Sequence, residues 1–149
     1  MRRGCSTPRG ARSPGHELDS SAAGTPVSPG RVLVVEDNDD IREAVAESLE
    51  DAGYGVWLAA NGAIAMNALR ESTDLPFLIL LDLMMPVMDG AQFLQEMRGD
   101  PRLSELPVVL VTADGSAVTR ATALGTHGGL QKPVQLDDLL STVAKYCQP

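Results

Sequence analysis

Short apolar runs recur along the chain from Arg31 onward, and segments of helical periodicity separate them. These runs read RVLVVE, YGVWLAA, FLILLD, PVVLVTA and GGLQ. Runs of this length, most of them rich in branched apolar residues, are typical of strands that are buried on both faces. Strand–helix–strand repetition requires parallel pairing through right-handed crossovers. The sequence therefore predicts an α/β fold, a doubly wound five-stranded parallel sheet with five helices.

The intervening segments carry apolar residues at the three- and four-residue spacing of a helical face. The first is stopped by Gly53, the second follows Asn61-Gly62, and the third spans Gly90 to Arg98. A weaker helix is predicted over residues 115–124 and a last one over 134–147. The residues that make up these apolar faces include Ala44, Leu49, Ile64, Leu69, Phe93, Met97, Leu136 and Val143.

The chain is long enough for one domain with a substantial core, since 44% of its 149 residues are hydrophobic. No apolar run reaches the length that spans a membrane. Residues 1–30 differ, because they are rich in Gly, Pro, Ser and Arg and nearly free of large apolar side chains. Such a segment buries too little surface to offset the entropy of ordering it. We predict a disordered tail over 1–30 and a single domain over 31–149.

The charge of the chain is unevenly distributed. The formal net charge is −8, and residues 1–30 carry four arginines against two acids, so the remainder holds −10. An acidic body argues against binding of nucleic acid, which requires clustered Lys and Arg. Arg2-Arg3 is not followed by the apolar segment of an export signal, and Cys5 and Cys147 lack metal or redox spacing. We expect free thiols and a cytoplasmic protein that contacts neither nucleic acid nor membrane.

Charged and polar side chains stand at the carboxyl ends of the predicted strands. Glu36 and Asp37 follow the first strand, Asp82 ends the third, Thr112 ends the fourth, and Lys132 follows the fifth. Ligand sites of such sheets lie beyond these ends. Carboxylates crowded together raise one another's pKa unless a cation compensates them. Mg²⁺, which takes one or two carboxylates together with waters and a phosphate oxygen, fits this group best.

The same group of residues is suited to phosphoryl transfer. An aspartate can attack phosphorus and form an acyl phosphate, and the reaction depends mainly on positioning and charge neutralisation. The sequence contains no P-loop, GxGxxG, HExxH or CxxC motif. Nucleotide hydrolysis, hydride transfer and zinc chemistry therefore have no support.

Neighbouring polar residues are assigned structural roles. Asp39 and Asp40 fit the acidic first turn of a helix, and Asp89-Gly90 fits a turn. His16 and His127 have no partners in the sequence that indicate metal ligation. We expect both histidines to lie at the surface.

Four motifs together resemble the receiver domain of two-component response regulators, of the chemotaxis single-domain type. They are VLVVED with its acidic pair, LLDLMMPVMDG around Asp82, VVLVTA with its hydroxyl, and KP after the fifth strand. The resemblance covers residues 31–147. It implies the flavodoxin-like strand order 2-1-3-4-5 and a role in phosphorelay signal transduction.

The resemblance also implies roles for the acidic residues. Asp82 would be the phosphoacceptor, which takes a phosphoryl group from the phosphohistidine of a histidine kinase. Asp37 and Asp82 would ligate Mg²⁺, with Glu36 acting through a water molecule and Met84 through its backbone carbonyl.

Two further residues complete the implied catalytic group. Thr112 would bond the phosphoryl group and move toward it, and Lys132 would pair with it. The Lys132-Pro133 peptide bond would be cis. Such a protein catalyses its own phosphorylation and slow dephosphorylation but is not a turnover enzyme.

The sequence departs from the family pattern at a switch position. Three residues before the lysine, where the family usually carries an aromatic side chain, this chain has Gly129. We hypothesise that signalling here runs by backbone and loop movement. By the resemblance, Met84 and Asp114 would occupy positions that tune dephosphorylation. Because Met84 cannot orient a water by hydrogen bonding, slow hydrolysis is expected.

The chain ends at Pro149, directly after the last predicted helix. We therefore expect a stand-alone receiver that acts as a protein-interaction switch or phosphorelay intermediate, with a sensor kinase or phosphotransfer protein as donor and dimerisation left open. A second hypothesis is a phosphate-independent interaction module, which Gly129 keeps open. A third is an excised part of a hybrid kinase or longer regulator.

Overall fold

The computed structural model describes residues 30–113 and 115–147. The predicted disordered tail lies outside the described residues apart from Gly30. Asp114, one of the two predicted tuning positions, also lies outside them.

The described residues form the predicted five-stranded parallel sheet. The strands are β1 (Arg31–Val35), β2 (Gly55–Ala59), β3 (Leu78–Asp82), β4 (Val108–Thr112) and β5 (Gly128–Gln131). The helices are α1 (Asp39–Asp51), α2 (Gly62–Glu71), α3 (Gly90–Arg98), α4 (Ala117–Leu124) and α5 (Leu136–Tyr146). The strand order is β2-β1-β3-β4-β5, which confirms the predicted topology. No described helix is long and apolar enough to cross a membrane.

The register of the sheet brings the carboxyl ends of four strands together. In β3 and β4, Asp82 is opposite Val111, and the amide of Leu83 donates to the carbonyl of Val111 at 3.3 Å. The amide of Lys132 donates to the carbonyl of Thr112 at 2.9 Å and so continues the β4–β5 pairing by one residue. Parallel pairing therefore places these polar residues at one edge of the sheet.

Each face of the sheet carries its own apolar core, because successive side chains of a strand point to opposite faces. On one face, α2, α3 and α4 cover the strands with Ala65, Met66, Leu69, Phe93, Leu94, Met97 and Ala121. On the other face, α1 and α5 contribute Leu49, Leu139 and Val143. Strands buried on both sides explain why the central runs are apolar throughout instead of alternating.

Helical periodicity assigned three side chains to the core incorrectly. Ile64 is 49% exposed and Leu136 is 53% exposed. Both belong to the first turn of a helix that begins beyond the carboxyl edge of the sheet, where no strand lies beneath them. Ala44 is also exposed, and Ala46 is buried in its place.

The free-thiol prediction is wrong for Cys147, which is buried and disulfide-bonded. The prediction for Cys5 lies outside the described residues. The argument for a reducing compartment from these cysteines therefore fails.

The start of α3 is fixed against the end of β3. Asp89 caps the helix, because its side chain accepts from the amide of Gln92 at 2.9 Å while the Gln92 side chain accepts from the amide of Asp89. The amide of Gly90 donates to the carbonyl of Leu83 at 3.0 Å. A Cβ at Gly90 would lie 2.9 Å from both the carbonyl oxygen of Asp82 and the Cα of Leu83. Only glycine allows this approach without a shift of the backbone.

We expect Gly90→Ala to lower the free energy of unfolding by about 1–3 kcal/mol, the usual effect of overpacking against rigid backbone. Urea unfolding measures the change. Gly99→Ala is the matched control, since a Cβ there meets its nearest atom at 3.6 Å, an ordinary contact. Equal stability of the two variants would contradict the close approach at Gly90.

Candidate functional site

A cleft of about 420 Å³ opens at the carboxyl edge of the sheet. The ends of β1, β3, β4 and β5 form its floor, and α1 and α4 begin at its sides. The residues that line it include Glu36, Asp37, Asn38, Asp82, Met84, Thr112, Arg120 and Lys132. The structure thus brings together every catalytic and metal-ligating candidate from the sequence.

Asp82 lies at the centre of this cleft and is only 3% exposed. Its Oδ1 accepts from the amide of Met84 at 3.2 Å, and its Oδ2 lies 3.4 Å from the Nζ of Lys132. Burial, followed by the charge of Glu36, raises the pKa of Asp82 to about 7. The charge of Lys132 and the Met84 amide act in the opposite direction, and a hydrogen bond with Asp37 adds to the increase.

Glu36 is equally buried and is bound more closely to Lys132 than Asp82 is. Its Oε1 lies 2.9 Å from the Lys132 Nζ, and its Oε2 accepts from the amide of Asn38 at 3.1 Å. The backbone of Glu36 is also held, because its amide donates to Ala59 at 3.0 Å and its carbonyl accepts from Arg42 at 2.8 Å. Glu36 therefore fixes the position of the lysine.

Lys132 bridges the two buried carboxylates. Burial lowers the pKa of its ammonium group, but the hydrogen bond that it donates to Glu36 and the charges of Asp82 and Glu36 outweigh burial and raise that pKa. The lysine is therefore a fixed positive charge at neutral pH. The Lys132-Pro133 peptide bond is cis, as predicted.

The donor set fits a hard divalent cation. Glu36, Asp37 and Asp82 each offer one carboxylate oxygen, and these oxygens lie within 4.8 Å of one another. Three carboxylates against one lysine leave an excess of negative charge. Asp37 is exposed, so an ion held there keeps access to water, as Mg²⁺ prefers. The residues present thus match the magnesium site that the sequence predicts.

Thr112 is the last residue of β4 and is 1% exposed. Met84, by contrast, is 71% exposed and lies at the mouth of the cleft. Gly129 lies within β5 opposite Leu110 and is not among the residues that line the cleft.

Sequence reasoning missed Arg120, which also lines the cleft. It lies on α4, in a segment that was predicted as a weak helix of small residues. The signal was present in the sequence, since Arg120 is the one charged residue in AVTRATAL and follows shortly after the strand that ends in Thr112.

Comparison with known proteins identifies the family to which this chain is similar. The sequence model of the response regulator receiver domain matches residues 32–144. The chain belongs to this family. Receiver domains transmit signals in two-component systems, where they interact with histidine kinases or phosphotransfer partners, and phosphorylation and Mg²⁺ binding are typical of them.

Individual relatives agree with the family assignment. The response regulator Rre1 of Synechocystis sp. is 42% identical over 118 residues, which are 77% of this chain and 50% of that protein. The chemotaxis response regulator CheY4 of Vibrio cholerae superposes with a TM-score of 0.70 at 32% identity, over 78% of this chain and 98% of that chain. The signal receiver domain of a histidine kinase from Syntrophus aciditrophicus has the same TM-score and identity, over 79% and 89%. The receiver thus spans about half the length of the curated relatives it matches.

The raised pKa of Asp82 makes stability depend on pH. Because the folded-state pKa is about 7 against an ordinary 3.8, folding favours the protonated acid. Stability therefore falls as the pH rises from about 4 to 7, and the full loss persists above that range. We expect Asp82→Asn to be more stable than the unmodified protein at pH 8, on the order of a few kcal/mol, and the gain to shrink toward pH 5.

Urea unfolding at both pH values, with a chelator present, measures this gain. Asp74→Asn is the control for the change from acid to amide, since the Asp74 side chain is 85% exposed. A gain from Asp82→Asn that is the same at pH 5 and pH 8 would show that Asp82 does not titrate in this range.

Proposed function

We propose that this receiver accepts a phosphoryl group on Asp82 from the phosphohistidine of a histidine kinase or phosphotransfer protein. The observation that carries the proposal is the environment of the Asp82 carboxylate. It lies in an open cleft, with Lys132 at 3.4 Å and the carboxylates of Glu36 and Asp37 beside it. A buried aspartate with two acidic neighbours and a bound lysine is arranged for phosphoryl transfer and has no evident structural purpose.

The transfer forms one bond and breaks another. An oxygen of the ionised Asp82 carboxylate attacks phosphorus, and the bond between phosphorus and the histidine nitrogen breaks. The imidazole leaves with the electron pair of that bond and takes a proton from solvent. Lys132 meets a phosphoryl oxygen, and the Thr112 hydroxyl donates to another. Glu36 keeps the lysine in place throughout.

We assign the magnesium ligands to Asp37, Asp82, Glu36 through a water molecule, and the backbone carbonyl of Met84. When bound, Mg²⁺ neutralises the carboxylates and the charge that develops on the phosphoryl oxygens. Because the Asp82 pKa is raised to about 7, a nearby cation also favours the ionised form that attacks.

The output that we propose is a change in protein binding. We propose residues 31–149 as the receiver, and no substrate is turned over. We place the phosphoryl transfer in the cytoplasm, where the ATP that phosphorylates histidine kinases is found.

The length of the relatives is compatible with two arrangements of the whole protein. One is a stand-alone receiver, the other is a receiver within a longer kinase or regulator, and the full reading frame distinguishes them. Analytical ultracentrifugation of the phosphorylated protein tests dimerisation.

Incubation with a small acyl phosphate tests the phosphoacceptor role. We expect intact-mass spectrometry to detect a single phosphoryl adduct that requires Mg²⁺ and is lost in Asp82→Asn. Asp74→Asn, which changes an exposed aspartate, should form the adduct at the rate of the unmodified protein. If neither the acyl phosphate nor a panel of kinases modifies Asp82, the phosphate-independent interaction module becomes the better hypothesis.

Met84 governs the lifetime of the phosphoaspartate. Its exposed thioether at the cleft mouth cannot orient a water for attack on phosphorus, whereas an amide can. We expect Met84→Asn to hydrolyse faster by roughly tenfold, which corresponds to about 1.4 kcal/mol in the barrier. Decay of the adduct after removal of the donor measures the rate. Faster decay in the unmodified protein than in Met84→Asn would contradict this role.

A further inference from the structure

Arg120 differs from the other arginines that the structure describes. Five of them bind a partner through the guanidinium, either a carboxylate or a backbone carbonyl. They are Arg31, Arg42, Arg70, Arg98 and Arg102. Within residues 30–113 and 115–147, the guanidinium of Arg120 has no ion pair or hydrogen bond. Its backbone amide donates to the carbonyl of Ser116 at 2.9 Å.

The position of Arg120 directs this cation toward the cleft. It lies in the first turns of α4 (Ala117–Leu124), which begins at the carboxyl edge of the sheet. Side chains of a helix lean toward its amino terminus, and here that direction leads back to the edge where Asp82 lies. Arg120 accordingly lines the same cleft as Asp82, Thr112 and Lys132.

The negative charge of the phosphorylated site exceeds the positive charge of Lys132 and a divalent ion together. A phosphoryl group on Asp82 carries a charge of about −2, by analogy with other phosphorylated side chains. With the carboxylates of Glu36 and Asp37, the site then holds a charge of about −4. A divalent ion and Lys132 supply +3. A negative charge remains, and the planar fork of an arginine matches two phosphoryl oxygens.

We propose that Arg120 binds the phosphoryl group on Asp82 and thereby couples phosphorylation to the position of α4. This inference rests on the proposed function of Asp82. The coupling through Arg120 links the site to the surface of α4. This link does not need an aromatic side chain at position 129, where the chain has Gly129.

The helix is suited to such a movement. Among its described side chains only Ala121 is fully buried, so little apolar contact resists a shift. Its carboxyl end is anchored, because Arg98 donates to the carbonyl of Leu124 and Gly125 ends the helix in a left-handed conformation with φ of 74°. Binding of Arg120 to the phosphoryl group therefore moves the amino-terminal part of α4, while its carboxyl end stays in place.

Beryllium fluoride, which forms a phosphoryl analogue on aspartate, is the probe. Its half-saturating concentration is measured by fluorine NMR in the presence of Mg²⁺. We expect this concentration to rise roughly fivefold in Arg120→Gln, because the variant loses a charge-assisted contact that is partly exposed. Arg120→Lys should fall between the two, since it keeps the charge and loses the fork. Arg70→Gln makes the same charge change at the far end of α2 and should bind like the unmodified protein.

Amide exchange tests the coupling. Binding of the probe should slow exchange across Ala117–Leu124 in the unmodified protein and in Arg70→Gln, but not in Arg120→Gln at saturating probe. If Arg120→Gln binds the probe as tightly as the unmodified protein, or shows the same slowing of exchange, the inference is overturned. The proposed function still holds in that case, provided that Asp82 binds the probe and is phosphorylated. Absence of probe binding and of any phosphoryl adduct in the unmodified protein would overturn the proposed function first.

Discussion

The contact of Lys132 with two buried carboxylates is the interaction on which the site depends. Glu36 and Asp82 are each only 3% exposed, and the lysine lies 2.9 Å from one and 3.4 Å from the other. Two buried anions without this cation would be strongly unfavourable, because charge removed from water must be paired. The pairing is incomplete, since the pKa of Asp82 is still raised to about 7. The fold thus holds a carboxylate in an unfavourable environment, which a cation and a phosphoryl group can relieve.

The scaffold around this contact is rigid where the chemistry requires precision. Asp82 is fixed by the β3–β4 register on one side and by the close packing of Gly90 on the other. Glu36 is fixed through both its backbone and its side chain. The side of the cleft that α4 forms is different in character. Among the side chains of this short helix that the structure describes, only Ala121 is fully buried, and Arg120 lines the cleft.

The strand that carries Gly129 has an aromatic neighbour, but at the position before it. The Tyr146 hydroxyl donates to the carbonyl of His127 at 3.0 Å and lies 3.8 Å from where a Cβ at Gly128, the first residue of β5, would be. The imidazole of His127 also accepts from the amide of Val108 at 3.2 Å. Tyr146 of α5 therefore packs beside Gly128, on the face of β5 opposite to the Gly129 position, and β5 itself carries no aromatic side chain. Signal output through α4 is consistent with this arrangement.

The sequence by itself determined the strand and helix order and the group of residues at the strand ends. Buried strands and amphipathic helices leave periodic patterns, and parallel pairing forces the carboxyl ends of the strands to one edge, so Glu36, Asp37, Asp82, Thr112 and Lys132 followed from their positions. Only the tertiary structure decided which carboxylate Lys132 binds more closely, that Ile64 and Leu136 project beyond the sheet, and that Arg120 reaches the cleft. These outcomes depend on helix placement and side-chain direction across separate elements. A one-dimensional pattern records the spacing within an element but not the distance between two of them.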